Sequence, residues 1–158
     1  MLEKRGASLT MTINTKQFGS IDIDESEIIS FPDGLFGFES LKKFTLIEEP
    51  DSPMMWLQSC SESDLAFVIL RVVDFMKEYD LSISQSDLES VGTEDPSELD
   101  VFAIVTIPLE NPSEMTANLM GPVIINMKDK KGRQVISLCD KYKTKHRVLD
   151  ELQAKTGA

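Results

Sequence analysis

Carboxylates are the abundant reactive groups of this chain, with 27 Asp and Glu set against 16 Lys and Arg, one histidine and two cysteines. Nine of the acids, Asp74, Glu78, Asp80, Asp87, Glu89, Glu94, Asp95, Glu98 and Asp100, crowd into one interval in which Lys77 is the only cation. Such a lobe either solvates a face or meets a basic protein. It cannot grip nucleic acid, because phosphate contacts need clustered Lys and Arg. Asp22 and Asp24 have a D-x-D spacing, but alternation places both on the outer face of a strand with no third ligand near, so the solvated reading is preferred to a metal site. His146 sits in a basic tail away from any nucleophile, which leaves a Ser/His or Cys/His pair without material. No phosphate-binding glycine loop, dinucleotide fingerprint or zinc pattern occurs. Cys60 and Cys139 lie far apart without C-x-x-C spacing and read as free thiols of a cytosolic protein.

The elements that must position these groups are mostly strands. Residues 11–18 are rich in β-branched types and end at Gly19, and residues 20–24 alternate strictly, with Ile21 and Ile23 on one face. After residues 28–31, Pro32-Asp33-Gly34 is a turn with mechanism: a fixed proline φ, a turn-forming aspartate and a permissive glycine. The rings of Phe36 and Phe38 are expected to plug a barrel end, and residues 39–43 to make one helical turn. Strands follow at 44–47, at 54–60 with the single tryptophan, and at 65–73, an apolar run continuous enough to imply burial on both faces. Arg71 interrupts that run and needs a partner. Within the acidic interval a short strand is expected at 81–84, then a short helix capped by Ser86 in an S-x-x-E box and stopped near Gly92. Residues 101–107 form another buried strand. Residues 115–126 read as a rigid turn feeding a strand, with Pro122 at its first position or at a bulge. A hairpin turn at 129–132 leads to a return strand at 134–138, and residues 141–147 begin a loosely packed helix or arm.

Many short strands, frequent breakers and little helix predict an all-β fold: a small closed or partly open antiparallel β-barrel with one or two short helices. At 158 residues one domain is expected. Its predicted parts are a flexible leader at 1–10, a barrel domain at 11–147 and a polar C-terminal tail at 148–158. No window is apolar enough for a membrane span, and the leader lacks the apolar centre of a signal peptide, so a cytoplasmic protein is expected. The net charge of -11 favours basic protein partners.

Five pieces, F-P-D-G-L-F-G-F-E (31–39), L-Q-S (57–59), A-F-V (66–68), T-A-N-L-M-G-P-V-I-I-N (116–126) and G-R-Q-V (132–135), come in the order and approximate spacing of the FliW family, bacterial flagellar assembly factors. The resemblance covers residues 11–147, and its first and fourth pieces together are specific. Two departures stand out: Phe36 where the family often has proline, and Asp74-Phe75 where it often has Asp-Pro. The resemblance implies a small non-enzymatic barrel without cofactor or metal, monomeric when free, that binds two partners. One is flagellin and the other is CsrA, a dimeric RNA-binding translational repressor. In that picture the barrel protein holds CsrA away from flagellin messenger RNA, and newly made flagellin competes for it, so that free flagellin restores repression.

An acidic protein docked on a basic RNA-binding dimer places negative potential near the RNA phosphates and weakens their binding. The candidate partner-binding residues are therefore Asp74, Glu78, Asp87, Glu89, Glu94 and Asp95, with Phe75 and Tyr79 as aromatic anchors or core residues. Asn118 either bonds backbone in its turn, the preferred role, or touches a partner. Two other classes stay open: a small-barrel ligand-binding or flavin-binding enzyme, which would carry a chromophore or a deep polar pocket, and an oligomerisation module, which would self-associate without CsrA.

Overall fold

A computed structural model describes residues 2–5 and 8–157. Its centre is a closed barrel of seven strands, β4 (Ile28–Ser30), β5 (Lys43–Glu48), β6 (Met55–Ser59), β7 (Ala66–Arg71), β8 (Asp100–Thr106), β9 (Thr116–Asn126) and β10 (Lys131–Gln134). Neighbours are antiparallel from β4 to β10, and closure comes from a single parallel bridge, Lys131 with Ser30. The expected antiparallel barrel is thus closed, with one parallel seam. A separate sheet of β1 (Leu2–Arg5), β2 (Ser8–Thr15) and β3 (Gly19–Asp24) precedes it. The two sheets are linked where Phe18 packs edge-on against Trp56, 5.9 Å between centroids.

The apolar runs are buried on both faces because two layers cover the barrel from outside. Alternation sends Ile69, Phe102, Val123 and Ile125 inward, to a core with Phe31, Phe44 and Leu57. Leu70, Ala103, Val105, Ala117 and Leu119 point outward and are covered by Phe75 of α1 (Val72–Phe75), Val148 of α3 (Val148–Thr156) and Tyr142. Ile124 and Val135 also point outward, under Leu88, Val91 and Leu99 of the acidic interval. Arg71 finds Asp100 at 3.4 Å and lies 5.1 Å from the centre of the Phe102 ring, the partner its position demands.

Several local expectations change. Strand pairing already runs through residues 116–118, where a turn was expected, but the β8 register jumps from Phe102–Val123 to Ile104–Asn118, so Leu119 to Pro122 bulge out. Proline at a bulge gives up no ladder bond, which is why the strand tolerates it. Residues 39–43 hold no helix, since 39–40 are a turn and Lys43 already begins β5, and 81–84 are not a strand. The return strand ends at Gln134, and residues 136–139 follow it as an irregular segment held by hydrogen bonds from the Ser137 N–H to the Met120 carbonyl and from the Leu138 N–H to the Ser82 carbonyl. Leu2–Arg5 is paired with β2 where a flexible leader was expected; Met1, Gly6 and Ala7 of that leader lie outside the described residues. The expected polar tail is largely α3, seated by buried Val148 and by Leu152, with Ala158 outside the described residues. Tyr142, 4% exposed, packs the stretch that was expected to be loose.

Candidate partner-binding face

The three motif pieces nearest the barrel seam are stitched together by G-R-Q-V. A Cβ on Gly132 would lie 2.4 Å from the ring of Phe31, so β10 closes the barrel without displacing that ring only with glycine there. Arg133 then ion-pairs with Asp33 of the Pro32-Asp33-Gly34 turn, and its Nε lies 3.2 Å from Asp87 in the acidic interval. Gln134 accepts from the Phe36 backbone N–H at 3.0 Å and donates to the Gly121 carbonyl at 3.0 Å. Gly34, at φ 64°, has no room for a Cβ either, which would sit 2.4 Å from the Phe38 carbonyl oxygen. Phe36 and Phe38 remain 49% and 37% exposed, and the buried plug of this end is Leu35. Asn118 does what a turn asparagine does: its Oδ1 accepts from the Gly121 N–H at 2.8 Å, shaping the bulge.

The acidic interval is an ordered lobe laid over β9 and β10. Its helix α2 (Gln85–Ser90) starts earlier than the expected cap Ser86: the N-cap is Ser84, two residues before it, whose hydroxyl accepts from the Asp87 N–H at 3.1 Å. Gly92, at φ 85°, ends it. The lobe is held from below by Asn126, whose Nδ2 donates to the Val91 carbonyl at 2.8 Å while its Oδ1 accepts from the Lys128 and Asp129 N–H groups of the β9–β10 turn. Asn126 was not singled out from sequence, although its place at the end of the T-A-N-L-M-G-P-V-I-I-N piece marked it. Asn126→Ala leaves buried polar groups unpaired and is expected to cost about 1–3 kcal/mol. Faster amide exchange confined to α2 and the turn, in hydrogen-exchange mass spectrometry, is the expected signature.

The candidate residues divide into three groups. Asp74, Glu78, Glu89, Glu94 and Asp95 are exposed, as are Asp80 and Glu98 of the same lobe, and among the described residues none of these makes an ion pair. Asp95 caps the short turn Pro96–Glu98, and its carboxyl is held below the usual range by hydrogen bonds from the Ser97 hydroxyl and N–H. Asp87 and Asp100 are already ion-paired, with Arg133 and Arg71. Of its two readings, exposed anchor or core, Phe75 takes the core at 1% exposure, because it roofs the outer face of β7 and β9. Tyr79 is half-buried; its hydroxyl donates to the Leu119 carbonyl at 3.0 Å and its ring stacks on Tyr142 at 4.5 Å. Burial first, then Tyr142, Cys139 and Asp80, pushes the Tyr79 phenol well above its ordinary pKa.

The groups weighed for chemistry are otherwise occupied. His146 accepts from the Lys143 N–H at 2.8 Å through Nε2, and its Nδ1 faces Glu151 at 3.5 Å. Asp22 accepts from the Thr12 hydroxyl at 2.7 Å, and Asp24 caps the turn Glu25–Glu27. Among the described residues no group of His, Cys, Asp and Glu could hold a metal ion. No helix there is long and apolar enough to cross a membrane. Cys60 and Cys139 are unbridged and half-buried. Burial pushes the Cys60 thiol up to about 11, against a smaller opposing pull from Lys43. At pH 8 roughly one such thiol in a thousand is ionised, against about a quarter for an ordinary cysteine. In a Cys139→Ala background, Cys60 is therefore expected to react with a maleimide on the order of a hundredfold more slowly than free cysteine, accelerating as pH rises toward 11.

Comparison with known proteins places these features in a family. The FliW protein family model matches residues 12–148. The flagellar assembly factor FliW of Alkaliphilus metalliredigens is 46% identical over 145 residues, covering 90% of this chain and 89% of the relative. The flagellar assembly factor FliW of Leptospira biflexa is 42% identical over 146 residues, covering 92% and 95%. A crystal structure of the flagellar assembly factor FliW superposes with a TM-score of 0.80 at 33% identity, covering 87% of this chain and 96% of that one. With its closed barrel, its stitched seam and this likeness over nearly its whole length, the chain belongs to the FliW family.

Proposed function

We propose that this chain acts in flagellar assembly as a non-enzymatic partner switch in the cytoplasm: it binds CsrA, so relieving repression of flagellin translation, and yields CsrA when flagellin competes for it. Family membership supports the role in assembly, since the relatives are flagellar assembly factors. The observation that carries the CsrA half is the lobe, where Asp74, Glu78, Asp80, Glu89, Glu94, Asp95 and Glu98 are exposed and no cation pairs with them among the described residues. Charges already paired in the free protein have little left to offer a partner. Unpaired ones on a firm support keep their field and draw a basic surface toward them.

The lobe acts by potential rather than by covering the RNA site. Seated beside a basic RNA-binding dimer, it adds repulsion to the phosphates that extends about 8 Å at physiological salt. A pull-down of the purified chain with CsrA and with flagellin, singly and in competition, tests the switch. Each partner alone is expected to be retained, and flagellin is expected to displace CsrA. Retention of neither, or of both together without displacement, contradicts it.

A further inference from the structure

Two apolar clefts flank α1, and among the described residues nothing fills them. The first, about 220 Å³, opens between α1 and α3 and is walled by Met54, Leu70, Phe75, Met115, Leu149 and Leu152. The second, about 410 Å³, lies on the lobe side of the same helix, against Val73, Met76, Tyr79, Leu81, Val101 and Pro96. Val73 borders the second cleft with 70% of its surface exposed, and Leu149 borders the first with 44% exposed. Lys155 of α3 donates to the Val73 carbonyl, tying the two helices. Exposed apolar side chains grouped around preformed clefts mark a contact surface more than a solvated one.

Charge names the occupant. Asp74 lines the first cleft; around the second, Glu78 and Asp80 flank Tyr79 in sequence, Asp95 precedes Pro96, and Glu98 follows Ser97. The cations lining these clefts are Lys77 and Lys155, the latter already engaged by a carbonyl. We propose that these clefts are the anchor site for the basic partner drawn by the lobe, receiving one or two of its aliphatic or aromatic side chains. An apolar cavity of about 150 Å³ accommodates a benzene ring, so the first cleft has room for a Leu or Phe side chain and the second for more. Long-range attraction would then come from the carboxylates and residence time from the anchors, a division in which a few desolvated apolar side chains carry most of the affinity.

The inference rests on CsrA being that partner, and a substitution that opposes the two effects tests it. Val73→Asp with Leu149→Asp adds acid at exposed first-turn helix positions, where it is tolerated. If charge alone binds the partner, the double variant binds CsrA as well as the unaltered chain or better. Anchoring predicts affinity lower on the order of tenfold by isothermal titration calorimetry, at physiological and at high salt, with an unchanged thermal midpoint. The conservative Val73→Ile/Leu149→Met pair should retain binding. Equal or tighter binding by the aspartate variant overturns the anchor site and leaves the functional reading intact. A loss only of self-association in sedimentation reassigns the clefts to a second copy and also overturns it. Absence of any heat between CsrA and the unaltered chain overturns both.

Discussion

Gly132→Ala is expected to destabilise the barrel strongly. The new Cβ would meet the Phe31 ring at 2.4 Å, and that ring is fully buried against Phe44 at 5.2 Å, so it has nowhere to retreat. Overpacking of a dense core costs about 1–3 kcal/mol, and a site on the closing strand belongs at the top of that range. For a chain of this size that corresponds to a fall in thermal midpoint of roughly 6–12 °C. The cause is separable by a double-mutant cycle. Phe31→Leu is destabilising alone because it leaves a void, but combined with Gly132→Ala it should restore part of the loss, since the smaller side chain yields the space the methyl needs. Strictly additive effects would show that the two residues do not oppose each other, and that Gly132 is needed for another reason.

The same contact explains how much could be read from sequence. Period-two alternation and breaker positions locate the strands because burial on one face and turn chemistry are local properties. The continuous apolar run at 65–73 signalled cover on both faces, but not by what: Tyr142 and α3 arrive from the far end of the chain, while α1 is the run's own continuation. The parallel seam between β10 and β4 was not legible, because it rests on one bridge and on the long-range fit of Gly132 to Phe31. The bulge at 119–122 was half legible: proline and glycine marked an irregularity, while the partner strand that makes it a bulge is not a neighbour of Gly121 in sequence.

The candidate face divides in the same way. Unbalanced charge is visible in composition, so the acidic lobe could be found; which acids are already paired depends on where Arg71 and Arg133 arrive in three dimensions. Phe75 stayed open between anchor and core because an aromatic amid acids fits either, and tertiary packing placed it in the core. Val73 was read as the end of a buried strand, yet the chain turns into α1 after Arg71 and presents that side chain to solvent.

Those pairings change which substitutions should matter for the proposed binding of CsrA. Asp87 is tied to Arg133, so altering it loosens the lobe as well as its charge. A cleaner variant neutralises Glu78, Asp80, Glu89 and Glu94 together, as Gln, Asn, Gln and Gln, since these are exposed and outside any ion pair among the described residues. Removing four charges from one face is expected to slow association with CsrA by on the order of tenfold to a hundredfold at low salt. The difference from the unaltered chain should shrink as salt rises, because exposed charges are screened beyond about 10 Å at 0.1 M. Dissociation should change less, and the thermal midpoint hardly at all, since unpaired surface carboxylates contribute little to folding. Stopped-flow association rates across a salt series check this; a salt-independent loss would assign the effect to misfolding of the lobe.

The most direct measurement follows the RNA itself. Fluorescence anisotropy of a labelled flagellin-leader RNA titrated with CsrA, alone, with this chain, and with this chain plus flagellin, reads the whole switch in one series. The expected result is a weaker RNA affinity when the chain is present, a smaller weakening with the four-charge variant, and recovery when flagellin is added. An RNA affinity that stays the same with and without the chain, across low and moderate salt, contradicts the account.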